Sequence, residues 1–374
     1  MAAGSAHAGA RLVAVYRVRA DAGTIAARAE AMAVEQSVEM PVSAIDDRRV
    51  LAEIVGQVEG IADLGNGLFE VRLALAATTT GYEPGQLMNM LFGNSSIHDD
   101  VVLHDVLLPP ELVAAFAGPG RGLAGLRALA GGGRRALTCS ALKPQGLPPA
   151  ALADLARRLA LGGLDFIKDD HGLADQAYSP FAERVAACAA AVRQANAESG
   201  RATRYVPSLS GNLDRLRAQV TLARAAGIEM VLIAPMIVGL PQLAALAREH
   251  RDIAFMAHPA LAGAARIAPP LLLGKLFRLF GADATIFPNH GGRFGYSRET
   301  CLALAQAARA PWRDVRPAIP VPAGGMTPAR VPEMLEFYGP DCMLLIGGGL
   351  LAARERVTEE TAAFTRLVEQ HAYR

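Results

Sequence analysis

The sequence predicts an α/β protein, a C-terminal (β/α)8 TIM barrel preceded by a small α+β domain. From about residue 136 onward, eight strand-like runs alternate with eight helical patterns in strict order. Units of that size imply parallel strands joined by crossover helices, and eight of them closing on themselves make the barrel. The segment before Gly118 lacks this alternation. An open doubly wound sheet is the rival, but no early Gly-x-Gly-x-x-Gly turn supports it.

The strand-like runs of the barrel are 136–142, 164–168, 204–209, 229–234, 253–258, 283–287, 318–323 and 341–347. Each is short, apolar and rich in β-branched or aromatic residues. Helical patterns occupy 149–161, 180–198, 213–226, 240–248, 269–280, 297–308, 329–338 and 351–371. Ahead of them, 11–19, 53–59 and 68–75 read as strands, and 24–34, 82–91 and 110–117 as helices. The domain spans expected are 1–117 and 118–374. The Gly- and Arg-rich stretch 118–135 joins them and is helical around 123–129.

A chain of 374 residues can bury a large core. With 37 basic and 36 acidic residues, neither sign dominates, which argues against a dedicated nucleic-acid or anionic-membrane surface. No apolar stretch reaches the roughly 18 residues of a membrane span. The first ten residues show neither a basic n-region nor an apolar h-region, so no secretory signal is expected and the expected location is the cytoplasm. Cys139, Cys188, Cys301 and Cys342 have no paired spacing and read as reduced core cysteines.

Barrel active sites lie at the carboxyl ends of the strands. Here those ends carry Lys143-Pro144, Lys168-Asp169-Asp170-His171, His258-Pro259 and Asn289-His290. The last two strands end in Gly324-Gly325 and Gly347-Gly348-Gly349, runs that let backbone N–H groups approach a phosphate. Side-by-side ionisable groups at a buried strand end must pair or hold a metal. Duller explanations exist for each: an ion-pair network for Lys168, Asp169 and Asp170, a rim pair for Lys143, and a satisfied core histidine for His258. His290 and Arg293 read equally as solvated loop residues, and Asn94 as a turn residue. Asp169 should face away from its neighbours, because successive residues of an extended segment point to opposite sides.

Taken together, these motifs resemble the large subunit of ribulose bisphosphate carboxylase, and more closely its non-carboxylating relatives, the RuBisCO-like proteins. The resemblance spans nearly the whole chain. It rests on Gly162-Gly163-Leu164-Asp165-Phe166-Ile167-Lys168-Asp169-Asp170, Lys143-Pro144, Leu91-Phe92-Gly93-Asn94, Pro322-Ala323-Gly324-Gly325 and Gly347-Gly348-Gly349. It implies a ferredoxin-like N-terminal domain. It also implies Lys168 carbamylated by CO2, with Lys168, Asp170 and, in place of the family's Glu, His171 as ligands of Mg2+. An imidazole ligand would tolerate Mn2+, Fe2+ or Zn2+ better than Mg2+; alternatively His171 is an acid or base at the rim. The implied catalytic residues are Lys143, Lys168, His258, Arg293 and Asn94. The implied phosphate contacts are Gly324, Gly325, Gly347 and Gly348.

The departures from the family point away from CO2 fixation. His258 is followed by Pro259 where a carboxylase has Arg, and the phosphate-binding His of the sixth strand falls on Ile286. Arg293 aligns with the loop-six Lys, and Gln145 stands at a second Lys position. One phosphate site is kept and the other dismantled. What the resemblance leaves is enolisation of a phosphorylated keto-sugar or sugar acid, with a metal stabilising the enolate. The base is the Lys168 carbamate or a neighbouring Lys or His. Tautomerisation, isomerisation and decarboxylative carbon–carbon cleavage all remain open. The resemblance also implies a homodimer in which Asn94 and Glu35 complete the partner's site. A non-catalytic scaffold that binds a sugar phosphate is the main alternative. An aldolase-like Schiff base on Lys143 or Lys168 is a third reading.

Overall fold

A computed structural model describes residues 9–373. The expectation about a secretory signal falls largely on positions 1–8, outside the described residues. Two compact units emerge: the chain up to Phe116 together with Ala262–Leu272, and Ala117–Leu261 together with Leu273 onward.

The first unit is a four-stranded antiparallel sheet of β1 (Arg11–Arg19), β2 (Gln57–Asp63), β3 (Leu68–Ala76) and β4 (Val101–Leu107), in the order β2-β3-β1-β4. Helix Ile25–Glu35 follows β1 and helix Pro84–Phe92 follows β3. The succession βαββαβ with this order is the ferredoxin-like arrangement. Alternation drives it: Leu12, Ala14, Tyr16 and Val18 are buried on β1, and Phe69, Val71, Leu73 and Leu75 on β3. Strand β4 was not foreseen, because His104-Asp105 interrupts its apolar run; a bulge in the β1–β4 register accommodates the irregularity. The strand expected at 53–59 starts later, since Val50–Ile54 forms one wide helical turn. The segment 262–272 joins this unit through Leu103, whose N–H donates to the Arg266 carbonyl at 3.0 Å and whose carbonyl accepts from Ala268 at 2.9 Å.

The second unit holds eight parallel strands: β5 (Leu137–Leu142), β6 (Phe166–Asp169), β7 (Arg204–Val206), β8 (Met230–Ile233), β9 (Ala254–Ala257), β10 (Ala284–Pro288), β11 (Ile319–Ala323) and β12 (Met343–Leu345). They pair as β12-β5-β6-β7 and β8-β9-β10-β11. The Ser208–Leu232 bridge links the two ladders, and β11 lies beside β12. This is the eightfold barrel order. Its core takes every second residue: Leu137 and Cys139, Met230 and Leu232, Ala254 and Met256, Ala284 and Ile286, Ile319 and Val321, Met343 and Leu345. Helix Gly122–Leu129 adds Leu126 and Leu129 to the same cluster.

The outer helices follow local signals. Asn212 caps helix Leu213–Ala225 by accepting from Arg215 N–H, and Ser297 caps Arg298–Arg309 by accepting from Thr300 N–H. The last helix is shorter than the pattern implied. It runs Val357–Glu369 behind two short turns, because Arg354 takes a positive φ of 51° that an α-helix cannot contain. All four cysteines are free and buried. No helix among the described residues is long and apolar enough to cross a membrane.

Candidate active site

The period of two that builds the barrel core also builds the site. Phe166 points into the core, so Lys168 and Asp170 continue on the same side, and Asp169 points the other way. By the same count Leu137, Cys139 and Ala141 lead to Lys143, and Ala254 and Met256 lead to His258.

The structure brings four of the expected residues into contact at the ends of β5, β6 and β9. Lys143 Nζ forms an ion pair with Asp170 Oδ2. His171 Nδ1 lies 2.8 Å from Asp170 Oδ1. The His171 ring stacks on that of His258, centroids 4.1 Å apart and planes 8° from parallel. Beneath them Lys168 is buried, its Nζ donating to the Asp169 carbonyl at 3.0 Å.

The electrostatics follow from this packing. Burial pushes the Lys168 amine below its ordinary range. Burial also works against the Asp170 carboxylate, but the close approach of His171 and Lys143, with the charges of Lys143 and Lys168, holds it well below the usual value. His258 is pushed down to about 2, first by burial and then by the charges of Lys168 and His171. At neutral pH the cluster therefore holds an ionised carboxylate and a neutral imidazole.

Asp169 turns away as its position requires. Its carboxylate meets Arg184 Nε at 3.0 Å, accepts from Tyr205 OH at 2.7 Å, and accepts from Ser208 N–H at 3.0 Å. Arg184 in turn donates to the carbonyls of Ser179 and Ala174 at 2.6 and 2.7 Å, bracing the loop that carries His171. The sequence reading did not pick out Arg184. Its signal was a charge on the stripe Phe181, Arg184, Val185, Cys188, all buried on one helix face.

The other expected residues lie elsewhere. Arg293 is exposed on the loop after β10, its guanidinium over the Phe294 ring at 5.1 Å. Asn94 belongs to the first unit, where Nδ2 donates to Glu35 at 2.7 Å and Glu39 at 3.2 Å. Gly324 and Gly325 turn at positive φ, and Gly347 precedes the short helix Gly348–Leu351. The two glycine turns are neighbours: a Cβ on Gly349 would stand 2.9 Å from the Met326 carbonyl.

The donor set bears on a metal. Among the described residues no three His, Cys, Asp or Glu side chains converge. Asp170 and His171 supply two such groups at one strand end. Asp170 Oδ1 is buried and makes no hydrogen bond of good geometry, its contact with His171 being out of line. An acceptor left with a free lone pair beside an imidazole fits a divalent cation, and a carbamate on Lys168 would add the third ligand.

Fold and site together define a barrel enzyme whose polar groups gather at the carboxyl ends of its strands. Residues 123–286 match the family model of the ribulose bisphosphate carboxylase large chain, catalytic domain. A 5-methylthioribulose-1-phosphate isomerase of Rhodospirillum rubrum is 64% identical over 359 residues, covering 96% of each chain. A 2,3-diketo-5-methylthiopentyl-1-phosphate enolase of Geobacillus thermodenitrificans is 34% identical over 315 residues, covering 79% of this chain and 76% of that one. The crystal structure of a Rubisco-like protein from Rhodopseudomonas palustris superposes with a TM-score of 0.91 and 56% identity, covering 97% of this chain and 99% of that chain. The chain belongs to the RuBisCO-like proteins, the family anticipated from its motifs.

Proposed function

We propose that this enzyme isomerises 5-methylthioribulose 1-phosphate, or a ketose phosphate very like it, through an enolate. The observation that carries the proposal is the Lys143–Asp170–His171–His258 contact above the buried Lys168 amine, in a chain 64% identical to a relative named for that isomerisation. Isomerisation by this route needs one group to take a proton from the carbon beside a carbonyl and return it to a neighbouring carbon. It also needs positive or hydrogen-bonding groups where the oxygen gains charge.

Lys168 suits the first task. Its amine is buried, which lowers its pKa from the ordinary lysine range, and it reaches the site from the inward face of β6. An amine takes up CO2 in its neutral form, which a lowered pKa favours, so the carbamate is an alternative state of the same base. Lys143, held by Asp170, supplies positive charge at the rim. A divalent ion held by the Lys168 carbamate, Asp170 and His171 would polarise the substrate carbonyl when bound. Gly324, Gly325, Gly347 and Gly348 offer backbone N–H groups to the phosphate, and Arg293 stands on the neighbouring loop. In a homodimer, Asn94 and Glu35 complete the partner's site.

The tautomerisation named for the Geobacillus relative is the second reading. It shares the enolate and differs in substrate, and the lower identity ranks it behind. Nuclear magnetic resonance in D2O separates the two. With 5-methylthioribulose 1-phosphate and bicarbonate, the wild-type enzyme is expected to exchange the carbon-bound proton beside the carbonyl and form an isomer, and Lys168→Met to do neither. Exchange with the diketo substrate alone would move the assignment to the tautomerase. Exchange with neither would overturn enolisation.

A further inference from the structure

Gln145 and Gly172 meet across two loops beside the candidate site. Gln145 stands two residues beyond Lys143, after β5, and Gly172 follows His171, after β6. A Cβ on Gly172 would fall onto Gln145 Nε2 and stand 2.7 Å from its Cδ, so the amide fills the space a side chain would take. This seat is fixed. The Gly172 carbonyl accepts from Gln176 Nε2 at 2.8 Å, and Gln176 Oε1 accepts from Ala174 N–H at 2.8 Å. Leu173 N–H donates to the Asp170 carbonyl at 2.9 Å. Gly172 is not at positive φ, so the turn itself does not call for glycine. What the missing Cβ provides is room for Gln145.

The seated amide has both of its functions free. Gln145 is exposed, and neither its Nε2 nor its Oε1 has a hydrogen-bond partner among the described residues. It lies beside the Lys143–Asp170–His171 contact, where a ligand at the strand ends would pass. An amide donates and accepts but carries no charge. Its complement is a hydroxyl, which also does both. Phosphate and carboxylate oxygens only accept, and would face Oε1 with negative charge.

We propose that Gln145, seated on Gly172, is a substrate-binding residue that recognises a hydroxyl of the ketose chain. The proposal rests on the reading of the substrate as a ketose phosphate. Gln145 exchanges no proton with the substrate, so its role shows in affinity and not in the rate of proton transfer. Gly172 acts through Gln145 alone, as the position whose lack of a side chain holds the amide in place.

Isothermal titration with ribitol 1-phosphate tests this on the full chain, in Mg2+ and bicarbonate. That polyol keeps the hydroxyls and the phosphate but has no carbonyl, so binding is read without turnover. Gln145→Met keeps the length of the side chain and removes its hydrogen bonds. Gly172→Ala moves the amide off its seat at little structural cost, because only the end of a flexible side chain must yield. Each variant is expected to weaken binding about tenfold. The double variant should be no weaker than either single one, because both remove the same contact. Losses that multiply toward about a hundredfold, wild-type affinity in Gln145→Met, or no binding of the polyol phosphate by wild type would each overturn the proposal. Inorganic phosphate should bind alike to all four proteins; parallel weakening would trace the effect to distortion of the site and overturn hydroxyl recognition. In proton exchange of 5-methylthioribulose 1-phosphate in D2O, the single variants should raise KM about tenfold and keep kcat within about twofold. A fall in kcat at unchanged KM would overturn the binding role. No exchange by wild type, with coupled polyol binding intact, would remove the isomerase reading and leave hydroxyl recognition standing.

Discussion

His171 and His258 stack face to face, ring centroids 4.1 Å apart and planes 8° from parallel, although they leave different strands of the barrel. The contact joins the end of β6 to the end of β9 and sets His258 beside the Asp170 carboxylate system. Parallel rings at this distance favour a neutral partner, because two imidazolium rings would repel. His258 is the partner held neutral.

That neutrality has a consequence for acid stability. The folded state holds the His258 pKa at about 2 against an ordinary 6.5, chiefly through burial. The unfolded chain therefore binds one more proton between these values, so this contribution is intact above about pH 6.5 and is lost progressively as pH falls. Urea unfolding at pH 6.5 and pH 5 should show wild type losing about 1–2 kcal/mol more than His258→Gln over that interval. Equal pH slopes would contradict the assignment.

Asp170→Asn should act on chemistry and metal binding more than on folding. It removes the negative charge that pairs with Lys143 and turns one of the two carboxylate oxygens from an acceptor into a donor NH2. We expect exchange of the substrate proton to fall on the order of 10²-fold or more. Titration calorimetry with Mg2+ or Mn2+ in bicarbonate is expected to show binding by wild type and none by the variant, while the thermal midpoint changes little.

Asp169→Asn should do the reverse. Asp169 and Arg184 are fully buried and paired, and leaving either charge without its partner costs roughly 3–5 kcal/mol. Arg184→Met should cost as much. Denaturant unfolding of these two variants beside Asp170→Asn will show whether adjacent aspartates divide in this way.

Gly292→Ala probes the glycine turns. A Cβ there would stand 2.2 Å from the Gly324 carbonyl, so the loop carrying Arg293 would have to shift away from the Gly324-Gly325 turn. If that turn holds the substrate phosphate, KM should rise about tenfold, equivalent to about 1.4 kcal/mol of binding. An unaltered KM would remove Gly324 and Gly325 from the phosphate site.

Much of this was legible in the sequence, for a local reason. Side chains alternate along a strand whatever lies around it, so counting by two from Phe166, Cys139 and Met256 places Lys168, Asp170, Lys143 and His258 on one rim. The same count turns Asp169 outward. Strand β4 and Arg184 escaped because each breaks a local pattern, with His104-Asp105 inside a strand and a charge on an apolar helix face.

The sequence by itself determined the barrel, its family and the rim that carries the chemistry, since these rest on periodicity and on contiguous motifs. Only the tertiary structure decided the pairings: Lys143 with Asp170, Arg184 with Asp169, and His258 on His171. Those pairings set which groups are charged, and they depend on distances between strands far apart in the chain, which no local pattern encodes.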